Sequence, residues 1–292
     1  MGGWLETYRG WVTPGECDII EHLTVAYYFA RFADSNLALM EAVGVGPSYM
    51  SETGRGCAAV DCYARFMREL RNGDVLHLDA AILGVEDKIF HSGHKVFDSA
   101  SGEVTATIEQ KLIHLDLERR RAVAIPPERR RALRDAAVEW DGPRREKRDM
   151  AEGTEGFIDG VRDTVKPWEI DVMGHLGFQF YIHRFSASAA HAMAAFGMTP
   201  DYIRDQRRGM STFEIDVRFR RELHAGDLVV VKTALVHVGS SSFRLLHKMF
   251  NLRSGELAAV MSQFAVHFDM DARRPTPLPD ELRARAETML VS

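Results

Sequence analysis

Cysteine is scarce in this chain of 292 residues: there are three, and none belongs to a Cys-x-x-Cys pair. An odd number without the spacing of metal ligands argues against a disulfide framework or a zinc site and predicts a protein of the reducing cytoplasm. No apolar run reaches the roughly 18 residues that a transmembrane helix needs. The first residues lack a basic stretch followed by an apolar one, so we expect neither a membrane segment nor a secretion signal.

The chain also lacks a strong charge imbalance. Its 37 Lys and Arg residues stand against 42 Asp and Glu residues, for a net charge of −5, which gives no reason to expect nucleic acid as a partner. The glycine patterns that bind the phosphates of nucleotide cofactors are absent, and we expect no cofactor and no metal. The 46% of hydrophobic residues is ordinary for a globular protein with a buried core.

What the sequence does contain is an internal repeat. When the chain is shifted against itself by 153 residues, positions 12–128 align with positions 165–281 without a gap, and 41 of the 117 aligned pairs are identical. The identities form short blocks, such as His22-Leu23 over His175-Leu176. Shared composition does not produce such blocks at a single offset, so we infer two homologous domains.

Both copies have the same order of predicted elements. A short β-branched and aromatic run (Thr7–Thr13; Phe157–Val165) precedes a loop, and a helical pattern follows over Val25–Val43 and Phe178–Phe196. Turn signals then separate four extended runs in each copy, which in the second copy are Met210–Arg221, Asp227–His237, Ser242–Asn251 and Glu256–Asp269. A strand, a long helix and four strands indicate an antiparallel α+β fold.

The repeat sets the expected domain organisation. The first domain is expected over residues 1–125 and the second over residues 155–292. A charged linker of residues 126–154 joins them and contains a predicted helix over Pro127–Ala137. Its richness in Arg, Glu, Asp and Pro is typical of a solvated segment.

The loop before each long helix is the best candidate for chemistry. Asp18 and Asp171 lie shortly before the helices, and His22 and His175 follow four residues later. A helix N-terminus offers unpaired N–H groups that can stabilise an oxyanion. A carboxylate opposite that end could attack a carbonyl carbon or deprotonate a water. Spacing by itself favours a plainer role, because Asp is common in loops and caps before helices.

The two loops resemble a known family. Asp18-Ile-Ile-Glu-His22-Leu-Thr-Val-Ala-Tyr-Tyr28 and Asp171-Val-Met-Gly-His175-Leu-Gly-Phe-Gln-Phe-Tyr181 are similar to the D-x-x-G-H-x-N-x-x-x-Y signature of hot-dog thioesterases of the 4-hydroxybenzoyl-CoA thioesterase group. The likeness extends over about 115 residues of each half. It implies two tandem hot-dog domains, each an antiparallel five-stranded sheet wrapped around a long central helix. It also implies active sites at the interface of the pair and assembly of these double units into homo-oligomers.

The resemblance assigns roles to eight residues. It implies that Asp18 and Asp171 are the catalytic carboxylates, acting as nucleophile or as general base. The backbone N–H at the helix N-terminus would receive the thioester carbonyl, and the histidines would support the loop or contact substrate. For the two tyrosines a packing role fits at least as well. The residues implied in substrate binding are His22, Val25, Tyr28, His175, Phe178 and Tyr181.

Both copies depart from the signature. The signature Gly is Glu21 in the first copy and Gly174 in the second, so Glu21 is strained, or its loop is rebuilt, if this position needs a positive φ. The signature Asn is Thr24 in one copy and Gly177 in the other. We lean towards Asp171 as the working carboxylate if one site has decayed.

Two other groups of residues are candidates for binding. His94-Lys95 and His247-Lys248 lie in predicted strands, and we interpret them as a solvated edge rather than a metal site. Several cations could contact coenzyme A phosphates, although runs of charge are usually just solvated. They are Arg119, Arg120, Arg121, Arg144, Arg145, Lys147, Arg148, Arg273 and Arg274.

The sequence therefore predicts an acyl-CoA thioesterase that releases a free acid and coenzyme A. Two alternatives remain: a thioesterase for acyl-carrier protein, and a non-catalytic acyl-CoA-binding protein. A hot-dog dehydratase is less favoured because neither copy has the D-x-N-x-x-H arrangement.

Overall fold

In the computed structural model the first copy is an α+β unit. The structure describes residues 3–146, 150 and 152–291. A 3₁₀ turn (Pro14–Glu16) follows the first strand and leads into the long helix. The helices of this copy and the adjoining segment are α1 (Val25–Ala42), α2 (Pro47–Thr53) and α3 (Pro127–Asp135). The strands are β1 (Leu5–Trp11), β2 (Arg55–Phe66), β3 (Val75–Val85), β4 (Ile89–Asp98), β5 (Val104–Asp116) and β6 (Arg121–Ala122).

The second copy repeats this order. Its 3₁₀ turn is Pro167–Glu169, and its helices are α4 (Phe178–Ala195), α5 (Pro200–Gln206) and α6 (Asp280–Thr288). The strands are β7 (Ile158–Thr164), β8 (Arg208–Phe219), β9 (Leu228–Val238), β10 (Ser242–Asn251), β11 (Leu257–Asp269) and β12 (Arg274–Pro275).

The strands of both copies form one antiparallel sheet. The order is β1-β3-β4-β5-β2-β8-β11-β10-β9-β7, with the two-residue strands β6 and β12 pairing to β5 and β11. The copies join where β2 pairs with β8, from Asp61 opposite Arg218 to Arg65 opposite Glu214. The predicted pair of five-stranded hot-dog domains is therefore confirmed, and the sheet runs unbroken through both.

The two long helices pack against each other on the inner side of this sheet. The ring of Phe29 on α1 lies 5.1 Å from the ring of Phe178 on α4, between centroids. One apolar cluster contains buried residues of both copies, including Phe29, Phe32, Phe185 and Ile215. Because the copies share a core, the N-terminus of each long helix is brought beside the helix of the other copy.

The described part of the predicted linker is more ordered than its composition indicates. Helix α3 confirms the predicted helix, and Trp140 beyond it packs against Trp4, with ring centroids 6.0 Å apart. Arg145 donates to Asp61 of β2 (2.7 Å) and to Asp216 of β8 (2.6 Å), across the strand pair that joins the copies. Residues 147–149 and 151 of the predicted linker lie outside the described residues.

The interpretation of the His-Lys pairs as a solvated edge is wrong. His94 and His247 are fully buried in β4 and β10, and Lys248 is 4% exposed. These residues do not lie at an edge, because β4 and β10 each have a neighbouring strand on both sides. Burial lowers the pKa of His94 to about 3 and that of His247 to about 4, so both imidazoles are neutral at physiological pH.

Among the described residues, no helix is both long enough and apolar enough to cross a membrane.

Candidate active sites

The loop before each long helix has the same backbone geometry in both copies. Asp18 N–H donates to the carbonyl of His22 (3.0 Å), and Asp171 N–H donates to that of His175 (2.8 Å). The residue before each helix is held to the 3₁₀ turn: Thr24 N–H donates to the carbonyl of Glu16 (2.9 Å), and Gly177 N–H donates to the carbonyl of Glu169 (2.8 Å). The duplicated sequence therefore builds the same cradle twice.

A buried arginine fixes each cradle, and sequence analysis missed it. Arg31 of α1 donates to the carboxylate of Glu16 at 2.8 Å, and Arg184 of α4 donates to Glu169 at 2.7 Å. The guanidinium groups also donate to Tyr27 and Phe180 carbonyls one helical turn back. All four members of the two ion pairs are identities of the internal repeat, and this is the signal that could have found them.

The two candidate carboxylates are held in matching ways. One oxygen of Asp18 accepts from Ile20 N–H (3.0 Å), and the other lies 3.3 Å from Nδ1 of His22. In the second copy Asp171 accepts from Met173 N–H (2.8 Å) and lies 3.2 Å from Nδ1 of His175. Burial raises the pKa of the Asp18 carboxyl, and His22 and the backbone donors oppose that shift.

Glu21 takes the conformation that the signature glycine takes in the other copy. Its φ is 68°, against 83° for Gly174, and both N–H groups donate to the carbonyl of the Asp three residues earlier. The loop is thus not rebuilt, and Glu21 carries the strain of a left-handed non-glycine residue. Its carboxylate accepts from Arg207 of the second copy at 2.9 Å, which holds the strained residue in place.

The helix N-termini offer free donors. Within the described part of the chain, the N–H groups of Val25 and Phe178 have no acceptor. Neither helix is capped by the side chain of the preceding residue: Thr24 makes no such hydrogen bond, and Gly177 has no side chain. Each helix therefore presents a positive dipole end and an unoccupied donor near a carboxylate.

One cavity contains Asp18 and has a volume of about 670 Å³. The first copy supplies Asp18, His22, Val25 and Tyr28 to its wall. The second copy supplies residues of α4, β8 and β11, which include Ser186, Met193, Ser211, Thr212, Phe213 and Gln263. We call this the Asp18 cavity.

The second cavity contains Asp171 and has a volume of about 540 Å³. The second copy supplies Asp171, His175, Phe178 and Tyr181. The first copy supplies residues of α1 and β5, which include Phe32, Ala33, Asp34, Asn36, Leu37, Met40 and Gln110. We call this the Asp171 cavity. The structure thus places the eight predicted residues four to a cavity, and each cavity is completed by the opposite copy.

The two cavities differ in the polar groups that the opposite copy brings. In the Asp18 cavity, Gln263 donates to Thr212 at 2.7 Å and is itself paired to the buried His247 at 3.1 Å. In the Asp171 cavity the matching Gln110 donates instead to Asn36 of α1. Alignment of the copies puts Ala189 of the second copy at the position of Asn36, so the two sites are not chemical duplicates.

Several of the candidate phosphate-binding cations are already paired. Arg273 donates to Glu69 of the first copy, and Arg120 donates to Glu222 of the second, in matching ion pairs across the copies. Arg145 joins β2 to β8 as described above. Arg274 lines the Asp18 cavity and Arg121 the Asp171 cavity, and among the described residues their guanidinium groups form no hydrogen bond or ion pair. Lys147 and Arg148 lie outside the described residues.

Comparison with known proteins agrees with this picture. A family model described as the thioesterase-like superfamily matches residues 12–133 and again residues 165–286. The solved structure of the 12:0-ACP thioesterase from Umbellularia californica superimposes with a TM-score of 0.70, covering 92% of this chain and 93% of that one at 14% identity. At that identity the likeness concerns the fold.

Relatives with known names match part of this chain. The L-carnitine dehydrogenase/betainyl-CoA thioesterase of Rhizobium meliloti (strain 1021) is 32% identical over 107 residues, which are 37% of this chain and 21% of that protein. The betainyl-CoA thioesterase of Pseudomonas aeruginosa PAO1 is 29% identical over 114 residues, which are 39% of this chain and 72% of that protein. The matched region is therefore about a fifth of the length of the Rhizobium meliloti protein.

Proposed function

Because this chain belongs to the thioesterase-like superfamily, we propose that it hydrolyses acyl-CoA thioesters to a free acid and coenzyme A. The observation that carries the proposal is the pairing, inside each cavity, of a loop carboxylate with an unoccupied helix N-terminus. This pairing supplies a base or nucleophile and an oxyanion donor, the two functions that acyl transfer to water needs. The N-terminus of each long helix provides the oxyanion donor through its backbone, so the side chain of the first helical residue is free to differ between the copies.

In this proposal the thioester carbonyl oxygen accepts a hydrogen bond from the backbone N–H of Val25 in one site and of Phe178 in the other. The carbonyl carbon then lies between this donor and the Asp carboxylate. As charge develops on the oxygen, the hydrogen bond strengthens and lowers the barrier. The Glu16–Arg31 ion pair and its counterpart, Glu169–Arg184, hold the cradle against the helix, so the donor needs no rearrangement during the reaction.

Two routes to the products are open to the carboxylate. As a general base, Asp takes a proton from water while the water oxygen bonds to the carbonyl carbon. The tetrahedral oxyanion then collapses, the C–S bond breaks, and the thiolate receives the proton from Asp. As a nucleophile, Asp bonds to the carbonyl carbon and expels the thiolate, and water hydrolyses the resulting anhydride.

The first test is thiol release from a panel of acyl-CoAs. We expect the purified chain to release free thiol from at least one member among aryl, short, medium and long acyl groups. Betainyl-CoA belongs in the panel because two relatives carry its name. Binding without release from any member would instead favour the non-catalytic acyl-CoA-binding alternative. Release from acyl-carrier-protein thioesters and not from acyl-CoA would favour the carrier-protein alternative.

The pH dependence of the Asp18 site follows from its burial. In the Asp171→Asn variant Asp18 is the remaining base, and it works in the ionised form. Since burial raises its pKa above the ordinary 3.8, kcat/KM is full at neutral pH and falls as the pH drops through this raised value. We expect the acidic limb above the ordinary Asp range when kcat/KM is measured from about pH 4 to pH 8. A limb at or below that range, or an essential group that titrates near pH 8, contradicts an Asp18 base.

Compartment and assembly belong to the same proposal. The three cysteines are free thiols, which supports work in a reducing cytoplasm. Association of these double units into homo-oligomers is proposed from the family resemblance, and sedimentation of the full chain measures it.

A further inference from the structure

A chain of buried hydrogen bonds ends at the wall of the Asp18 cavity. Ser188 of α4 pairs with Thr233 of β9 at 2.6 Å, and Thr233 pairs with Nδ1 of His247 at 2.7 Å. Nε2 of His247 pairs with the side-chain carbonyl of Gln263 at 3.1 Å, and the amide nitrogen of Gln263 donates to the hydroxyl of Thr212 at 2.7 Å. The first four residues are at most 1% exposed, whereas Thr212 is partly exposed and lines the cavity. The proposed hydrolysis uses none of the five.

The chemistry of these groups fixes the direction of donation. A carbonyl oxygen only accepts, so Nε2 of His247 carries the proton that is donated to Gln263. Burial lowers the pKa of His247 to about 4, so the ring is neutral at physiological pH and its Nδ1 accepts from the hydroxyl of Thr233. At the other end the amide nitrogen of Gln263 only donates, so the oxygen of Thr212 accepts. Every link therefore donates towards the cavity.

Thr212 is left with a proton to donate. Its oxygen accepts from Gln263 and, among the residues that the structure describes, its hydroxyl donates to no acceptor. A polar group that is removed from water without a partner destabilises the complex, whereas one that finds a partner stabilises it. An unused donor at the wall of a cavity therefore favours a ligand that brings an acceptor atom to it.

This donor lies in the uncharged part of the cavity. The charged lining residues belong to the first copy, apart from Arg273 and Arg274. The lining residues from α4, α5, β8 and β11 are all uncharged, and the apolar ones are Met193, Ile203, Met210, Phe213 and Phe268. Since the acyl group is the apolar end of an acyl-CoA, it belongs against this wall. In apolar pockets a few polar groups fix the orientation and the specificity of the ligand.

The fold does not need the two threonines in order to bury a histidine. In the first copy His94 is equally buried and pairs with Ser35 at 2.8 Å. Alignment of the copies puts Ala80 and Ala59 at the positions of the two threonines. The threonines therefore do more than satisfy a buried imidazole, and what they add is the connection to the cavity.

We propose that the hydroxyl of Thr212 donates to an oxygen of the acyl group, so that the Asp18 site prefers acyl groups with an acceptor oxygen, such as oxoacyl groups, to plain hydrocarbon ones. This inference rests on the proposed acyl-CoA hydrolysis and adds the chemical class of the acyl group to it. It concerns the Asp18 cavity alone, and it makes Thr212 a specificity residue outside the reacting atoms.

The test compares a plain acyl group with keto derivatives of the same chain length. They are hexanoyl-CoA and its 3-oxo, 4-oxo and 5-oxo derivatives, because a ketone oxygen accepts hydrogen bonds without donating. In the Asp171→Asn background the Asp18 site works by itself. There Thr212→Val, which keeps the shape, is expected to lower the ratio of kcat/KM for the preferred oxohexanoyl-CoA to that for hexanoyl-CoA by roughly three- to tenfold, the usual worth of one buried hydrogen bond. Comparing this ratio between variant and parent cancels differences in intrinsic reactivity between the substrates.

Matched controls keep the result specific. Thr212→Ser retains the hydroxyl and is expected to retain most of the ratio. Thr288→Val removes an exposed hydroxyl at the end of α6, outside both cavities, and should leave the ratio unchanged. Asp135→Asn removes an exposed carboxylate at the end of α3, outside both cavities, and controls for the background substitution. In the Asp18→Asn background Thr212→Val should not change the ratio, because Thr212 does not line the Asp171 cavity.

Equal losses on all four acyl-CoAs would assign Thr212 to catalysis or structure and overturn the inference. A Thr212→Val variant that keeps the full ratio for every oxohexanoyl-CoA would overturn it as well.

Binding provides a readout that does not depend on hydrolysis. Thioether analogues, with a methylene between carbonyl and sulfur, cannot release thiol. Calorimetry should find that Thr212→Val loses affinity for the preferred oxohexanoyl analogue at one of its sites, relative to the hexanoyl analogue. A chain that hydrolyses no acyl-CoA but shows this relative loss retains the inference and refutes the proposed hydrolysis. Hydrolysis of all four acyl-CoAs without the relative loss does the reverse.

Discussion

Replacing both Asp18 and Asp171 with Asn is expected to reduce thiol release by about a hundredfold to ten-thousandfold, the usual contribution of a positioned general base. Asn has nearly the size of Asp, and its oxygen can still accept from the backbone N–H of Ile20 or Met173. What the substitution removes is the negative charge and the ability to take a proton. Steady-state kcat at saturating substrate, with folding checked by circular dichroism, measures the effect.

The single variants show how the two sites share the work. If Asp171→Asn loses more activity than Asp18→Asn, the Asp171 site carries the larger share of the turnover and the Asp18 site supplies the remainder. This is the direction that we expect, because the second copy keeps the signature Gly174. Partial loss in each variant would mean two working sites. Asp135→Asn is the matched control, and full activity in the double variant would refute the catalytic role of both carboxylates.

Replacing Phe29 with Ala is expected to lower the free energy of unfolding by about 3–5 kcal/mol, the usual cost of removing a phenyl ring from a packed core. Phe29 is fully buried and lies where α1 meets α4, with its ring 5.1 Å from that of Phe178. The cavity left behind would open at the contact between the copies. Because the apolar cluster is shared, both copies should lose stability together.

Denaturant unfolding measures this effect. Wild type and Phe29→Ala should each unfold in one cooperative transition, with a lower midpoint in the variant. Trp168→Ala is the control, since Trp168 is 76% exposed and its loss should change stability by no more than about 0.5 kcal/mol. Two separate transitions, with one copy unaffected by Phe29→Ala, would contradict a shared core.

Local patterns determined much of the fold. The helix over Val25–Val43 and the four extended runs of the second copy are periodic signals that need no distant contact, and the structure has them within a few residues. The offset of 153 residues identified the duplication directly. The loop carboxylates could be found because they lie close to a helix N-terminus along the chain, and chain neighbours stay neighbours in any fold.

Some positions could be read from sequence only as alternatives. For Glu21 the signature indicated either strain or a rebuilt loop. The structure shows strain, because Arg207 of the other copy binds its carboxylate while the backbone keeps the hydrogen bonds of Gly174. The His94 and His247 pairs were misread because two neighbouring strands, and not the pattern of the strand itself, bury them.

The sequence by itself determined that the chain is two hot-dog domains and that each has a carboxylate before its long helix. The tertiary structure decided what lies opposite those carboxylates. Asp34 reaches the Asp171 cavity, and Gln263 the Asp18 cavity, because β2 pairs with β8 and α1 packs on α4. Such contacts join residues more than a hundred positions apart, and they depend on strand register and core packing, which periodicity and short motifs do not encode.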